Sequence, residues 1–197
     1  MEQPTERRLI WDIVTRLFHW SLVLAVVTGW SLGRFGPSIM TYHFYIGYAV
    51  AALLVIRVYW GFRGPKPVRF RSFIYGPKKT LGYVSGMAKR VPSNWPGHNP
   101  VGALSVFAML VVLIAQVVTG LIADPDDFVN VGPLAGWVEF DTARWAASTH
   151  RLLSKLLLVL VGLHIAAILY YRFWKREDLV GPMITGWKEV RKDHPDA

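Results

Sequence analysis

The sequence predicts an all-α integral membrane protein: a four-helix bundle with both termini on the cytoplasmic side. Three observations carry this. Hydrophobic residues make up 53% of the 197 positions, and the mean hydropathy is +0.31. The apolar residues gather into four runs, each near the roughly 20 residues needed to cross a bilayer core. The basic residues concentrate in alternate connections between those runs.

In chain order, the start through Arg8 is polar and reads as a short cytoplasmic tail. The first span covers about residues 11–31, with Asp12 and Arg16 spaced to pair on one helical face and His19 further in. It is followed by a turn-rich connection, 33–41, and a second span at about 42–60 with His43 at its entrance and Arg57 near its exit. The stretch 61–97 carries eight lysines and arginines and no acid, and residues 78–87 within it suit a short interfacial helix. Asn99 followed by Pro100 reads as a cap and a first-turn proline opening the third span, about 101–122. A loop at 123–146 holds Asp124, Asp126, Asp127, Glu139 and Asp141 against the single Arg144, with Trp137 and Trp145 suited to an interface. The fourth span, about 147–171, precedes a basic tail. The whole chain reads as a single domain, 1–197.

An even number of spans places both termini on one side, and the excess of Lys and Arg there makes that side cytoplasmic. The formal charge of +9 is therefore a topology signal with attraction to anionic lipid, and it excludes nucleic acid as a partner. The chain reads as a multi-pass protein of a bacterial inner membrane, and its first span is retained because it lacks a small-residue cleavage site. Absent cysteine excludes disulfides, thiolate zinc sites, iron–sulfur clusters and covalent c-type haem.

The chemistry lies in four histidines. His150 and His164 share the fourth span, fourteen residues apart; this returns them to within roughly 40° of one face and separates them by roughly 21 Å. By depth, His19 matches His164 on the inner side and His43 matches His150 on the outer side. Two imidazoles facing each other make a six-coordinate site for an iron porphyrin, which favours electron transfer over oxygen chemistry. The competing readings are interhelical hydrogen bonds and zinc. Histidines that far apart cannot share one ion, and two-histidine sites are sparse for zinc. Arg57 lies on the face of His43, near the inner pair, and Arg16 is at a similar level; each can meet a haem propionate or snorkel to lipid phosphate. Arg151 can do the same beside His150. Gly47, one turn after His43, leaves room for a porphyrin edge, although helix packing explains it equally. Gln116 can bond a quinone or a neighbouring helix. His98 and His194 read as surface residues, with His98 a further candidate near the inner site. Thr28-Gly29 and Thr119-Gly120 form a weak internal likeness, read as close helix packing.

These residues carry a resemblance. WDIVTRLFHW at 11–20, HFYIGYAVAALLVIRVYWGF at 43–62, GHNPVGALSVFAMLVVLIAQVVTG at 97–120, HRLLSKLLLVLVGLHIA at 150–166 and DLVGPMITGWK at 178–188 are together similar to the bacterial cytochrome b561 family. Within it, the chain resembles the b-type cytochrome subunit of Ni,Fe-hydrogenase. The resemblance implies a bundle with two non-covalent b haems ligated at His19, His43, His150 and His164. It also implies a relay of electrons between the quinone pool and a separate redox protein, such as a periplasmic cytochrome c or a dehydrogenase or hydrogenase subunit. Quinone is a further candidate cofactor, and homo-oligomerisation is left open. The alternative is a stand-alone quinone-linked oxidoreductase acting on a small species such as superoxide. That reading wants a basic funnel over the outer haem, whereas the outer loops are acidic. An electron-transfer subunit is favoured over an enzyme acting alone.

Overall fold

A computed structural model describes residues 5–38 and 40–192; His194 lies outside them. Four helices are long and apolar enough to cross a membrane: α1 (Ile13–Phe35), α2 (Thr41–Arg63), α4 (Pro100–Ile122) and α5 (Phe140–Tyr170), the last prolonged by a π turn at Tyr171–Lys175. A short helix α3 (Pro77–Gly86) occupies the predicted place in the basic connection, and α6 (Val180–Thr185) follows the last span. The chain is not wholly helical: β1 (Thr5–Leu9) pairs antiparallel with β2 (Trp187–Arg191). The segments next to the two termini therefore lie side by side. β1 falls where the sequence reads as a polar tail, and β2 within the basic tail.

The helices divide between two compact units. The first comprises residues up to Phe18, Arg57–Phe107 and those from Gly162; the second comprises His19–Ile56 and Ala108–Val161.

In the first unit, Asp12 caps α1. Its Oδ1 accepts the backbone N–H groups of Val14 and Thr15 at 2.9 and 3.2 Å, and its Oδ2 accepts the Thr15 hydroxyl at 2.6 Å. The Trp60 indole donates to the same carboxylate at 3.1 Å. Burial works to raise the Asp12 pKa, but the bonds from Thr15, Trp60 and the helix N–H groups prevail and hold it below the ordinary carboxylate value. The predicted Asp12–Arg16 pairing gives way to this cap, and Arg16 instead donates to the Ile184 carbonyl of α6. Asp12→Ala should cost about 1 kcal/mol for the cap, plus the loss of the hydrogen bond from the Trp60 indole. Thermal unfolding in detergent checks this, and an unchanged midpoint would contradict it.

Ile10, Trp11, Val68 and Val190 form a buried cluster with Trp60 and Met183 packed on it. Gly186 ends α6 with φ +89°, and its carbonyl accepts from Ile10 and Trp11 at 2.9 and 3.1 Å. Behind β2, Glu177 and Lys188 form a buried ion pair at 2.9 Å. Glu177 Oε2 also accepts the Ser93 N–H at 2.7 Å and hydroxyl at 2.8 Å, while Lys188 donates to the Trp95 carbonyl at 3.1 Å. The segment around residues 93–95 is thus tied to the C-terminal module.

Also in the first unit, α4 opens as the sequence predicts at its Asn99 cap, with a bond of 2.8 Å from the Gly102 N–H to Asn99 Oδ1. Helix α5 starts at Phe140, seven residues before the predicted 147, so the polar loop shrinks to 123–139. The polar look of Asp141, Thr142 and Arg144 conceals this first turn. Asp141 there suits the helix dipole, and Ala143, Ala146 and Ala147 form a buried small-residue stripe at helical spacing. Asn130 pins the loop to the 36–40 connection, bonding the Met40 N–H at 2.9 Å and the Ser38 carbonyl at 2.8 Å.

Candidate haem site

The outer histidines meet. In the second unit the rings of His43 on α2 and His150 on α5 stand with centroids 6.1 Å apart and planes at 81°. A metal held by two imidazole nitrogens needs roughly 4 Å between those nitrogens. The ring separation leaves about that once each ring's own half-width is removed, so the spacing fits an iron between them.

The hydrogen bonds fit as well. His43 Nδ1 lies 2.8 Å from the Gly29 carbonyl, and His150 Nδ1 lies 2.9 Å from the Gln116 carbonyl. A carbonyl oxygen can only accept, so in both rings the proton sits on Nδ1 and the lone pair on Nε2. This is the usual outer support of a ligating histidine. Close helix approach makes it possible. A Cβ at Gly33 would come within 3.2 Å of the His43 ring, and one at Gly120 within 2.9 Å of the His150 ring.

The two halves are alike, but not in the register of the Thr-Gly pairs. The residue supplying the carbonyl stands four before the glycine that makes room: Gly29 with Gly33 for His43, and Gln116 with Gly120 for His150. Gly29 therefore corresponds to Gln116, and Gly33 to Gly120. Sequence matching of Thr28-Gly29 with Thr119-Gly120 is off by one helical turn.

The Gln116 side chain takes the interhelical alternative. Its amide nitrogen is 3.0 Å from His150 Nε2. A Cβ added at Gly47 would meet nothing within 4 Å, so the space one turn from His43 is open. Arg151 is exposed and lines a shallow cavity of ≈ 330 Å³ with Asp124, Arg144 and Trp145.

The inner candidates are half-buried. His19 belongs to the second unit, where its ring meets Trp20 edge-on at 5.1 Å, and His164 belongs to the first. Their pairing rests on sequence depth. Arg57, in the first unit, is only 6% exposed. Its guanidinium stacks over Phe70 at 4.7 Å and bonds the Val68 carbonyl at 3.4 Å, while Nη1 has no hydrogen-bond partner among the described residues. A buried cation with an unused donor suits an anion such as a propionate. Arg16 bonds α6 through Nη1, as described above, while its Nε has no hydrogen-bond partner among the described residues.

His98 departs from its surface reading. It is partly buried, its ring 4.7 Å from Trp11 and 4.6 Å from Phe73. The polar letters around it gave no hint of this aromatic setting, which forms only when residues far apart in sequence converge. A cavity of ≈ 1390 Å³ bordered by Tyr83, Ser93, Lys175, Glu177 and Lys188 includes none of the four histidines.

A family model described as prokaryotic cytochrome b561 matches residues 10–186. Among curated proteins, the probable Ni/Fe-hydrogenase B-type cytochrome subunit of Azotobacter chroococcum mcd 1 is 27% identical, over 95% of this chain and 90% of its own length. The probable Ni/Fe-hydrogenase 1 B-type cytochrome subunit of Escherichia coli K12 is 26% identical, over 91% and 89%. The corresponding subunit of Rhizobium leguminosarum bv. viciae is 27% identical, over 99% and 95%. No solved structure matches. With the family model spanning most of the chain, four helices fit to cross a membrane and histidine rings spaced for a porphyrin iron, the chain belongs to the prokaryotic cytochrome b561 family of haem-binding electron-transport proteins.

Proposed function

We propose that this chain is a di-haem transmembrane electron carrier, relaying electrons between the quinone pool and a separate redox partner, a Ni/Fe-hydrogenase. The observation that carries it is the outer pair: two histidine rings 6.1 Å apart, each with Nδ1 on a backbone carbonyl. When bound, haem would supply one-electron chemistry, and His43 and His150 are the residues that would hold its iron in the outer site.

The chain's own residues do the rest. His43 and His150 hold the outer site, and Gly29 and Gln116 orient their rings. His19 and His164 hold the inner site, with Arg57 offering its charge to a propionate. The apolar spans exclude water and keep the surroundings of low polarity. The four long apolar helices cross the membrane, with both termini on the side that the basic connections mark as cytoplasmic, a reading supported by the pairing of β1 with β2. The partner class comes from the names of the relatives, which align over nearly their whole length.

The test is a redox-titrated visible spectrum of the detergent-purified protein with a pyridine haemochrome assay. About two low-spin b haems per chain, at separable potentials, are expected. One haem would mean that one histidine pair is wrongly assigned, and none would overturn the reading.

A further inference from the structure

We propose that the Gln116 carboxamide competes with iron for the Nε2 lone pair of His150, and so sets how readily the outer ligand pair takes up haem. The inference rests on the di-haem reading and goes beyond it by assigning a role to a residue that is not itself a ligand. The geometry is specific. Gln116 touches both nitrogens of the ring: its backbone carbonyl holds Nδ1 at 2.9 Å, and its side-chain amide reaches Nε2 at 3.0 Å. With the proton on Nδ1, Nε2 is an acceptor and the amide donates to it. That single lone pair serves the amide or the iron, but not both.

The rest of the carboxamide offers no compensating attachment. Gln116 Oε1 is buried with no hydrogen-bond partner among the described residues. The equivalent position against His43 is Gly29, which supplies the carbonyl and has no side chain. The competition is therefore confined to the His150 side of the pair. Truncating Gln116 leaves the backbone carbonyl, and with it the tautomer and orientation of the ring, in place.

The experiment uses the full-length protein produced under haem limitation and titrated with haemin in detergent, as wild type and as Gln116→Ala and Gln116→Met. Two variants guard against a misfolded one, and the methionine keeps the side-chain length. Both should bind the outer haem roughly two- to tenfold more tightly, the worth of one such hydrogen bond, with the stoichiometry and low-spin spectrum of wild type. A merely structural role gives the opposite sign: a loosened ring, weaker uptake and a broadened or partly high-spin spectrum. Equal or weaker affinity in both folded variants overturns the proposal. Failure of the di-haem reading is a separate result, in which wild type and variants alike bind no haem that depends on His150.

Discussion

Replacing His150 by alanine is expected to lower the haem content from about two per chain to about one. Among the described residues the ring of His150 has no second imidazole beside it except its partner His43 at 6.1 Å, and its other contacts come from Gln116, Thr119 and Gly120. Losing only the outer support of a metal-bound histidine typically costs 10–100-fold in affinity, so losing the ligand itself should cost more than about 100-fold. His43→Ala should give the same loss, and the double variant should be no worse than either, because both rings serve one iron. The haem that remains should keep its low-spin spectrum and its potential. A pyridine haemochrome ratio near two in His150→Ala would remove the outer pair from the mechanism. Gly120→Ala offers a milder version of the same experiment, since its Cβ would press on the His150 ring at 2.9 Å.

Breaking the buried pair of Glu177 and Lys188 should have the largest effect on stability. Their side chains are only 4% and 7% exposed. Lys188→Met leaves a carboxylate buried beside Ser93 without its direct ion-pair partner, which typically costs about 3–5 kcal/mol. The pair also imposes a pH dependence. Burial by itself would raise the Glu177 pKa, but the Lys188 charge and the hydrogen bonds from Lys188 and Ser93 outweigh it, holding the carboxyl below its ordinary 4.5. The folded value is thus depressed. This stabilisation is complete above about pH 4.5 and is lost as the pH falls through the folded value. In Lys188→Met burial is no longer outweighed by the Lys188 charge, so this acid loss should shrink or reverse, because protonation then relieves the buried carboxylate. Replacing both residues by apolar ones, as in Glu177→Leu with Lys188→Met, should recover most of the stability, because no charge remains buried. Thermal unfolding in detergent from pH 7 to pH 4 checks all three. A Lys188→Met protein melting with the wild type would show that the pair contributes nothing.

The four long apolar helices were legible in the sequence because a bilayer-length apolar run is a local property. So were the Asn99 cap and the short helix at Pro77–Gly86, each announced by residues next to it in the chain. The early start of α5 was not. Its first turn looks polar, and its small-residue stripe has meaning only once something packs against Ala143, Ala146 and Ala147. The strands β1 and β2 were missed for a related reason: five polar-rich residues at each end carry no signal until the ends are brought together.

The candidate site divides along the same line. Helical periodicity and depth alone singled out His19, His43, His150 and His164 and matched His43 with His150, because a regular helix converts sequence spacing into direction and height. Only the tertiary structure could decide what each ring touches. It placed Nδ1 of both outer histidines on carbonyls of neighbouring helices, set the Gln116 amide against Nε2 of His150, bonded Arg16 Nη1 to α6, and enclosed His98 between Trp11 and Phe73. These contacts join residues up to 168 positions apart. They depend on how closely two helices approach, which glycines permit but do not specify.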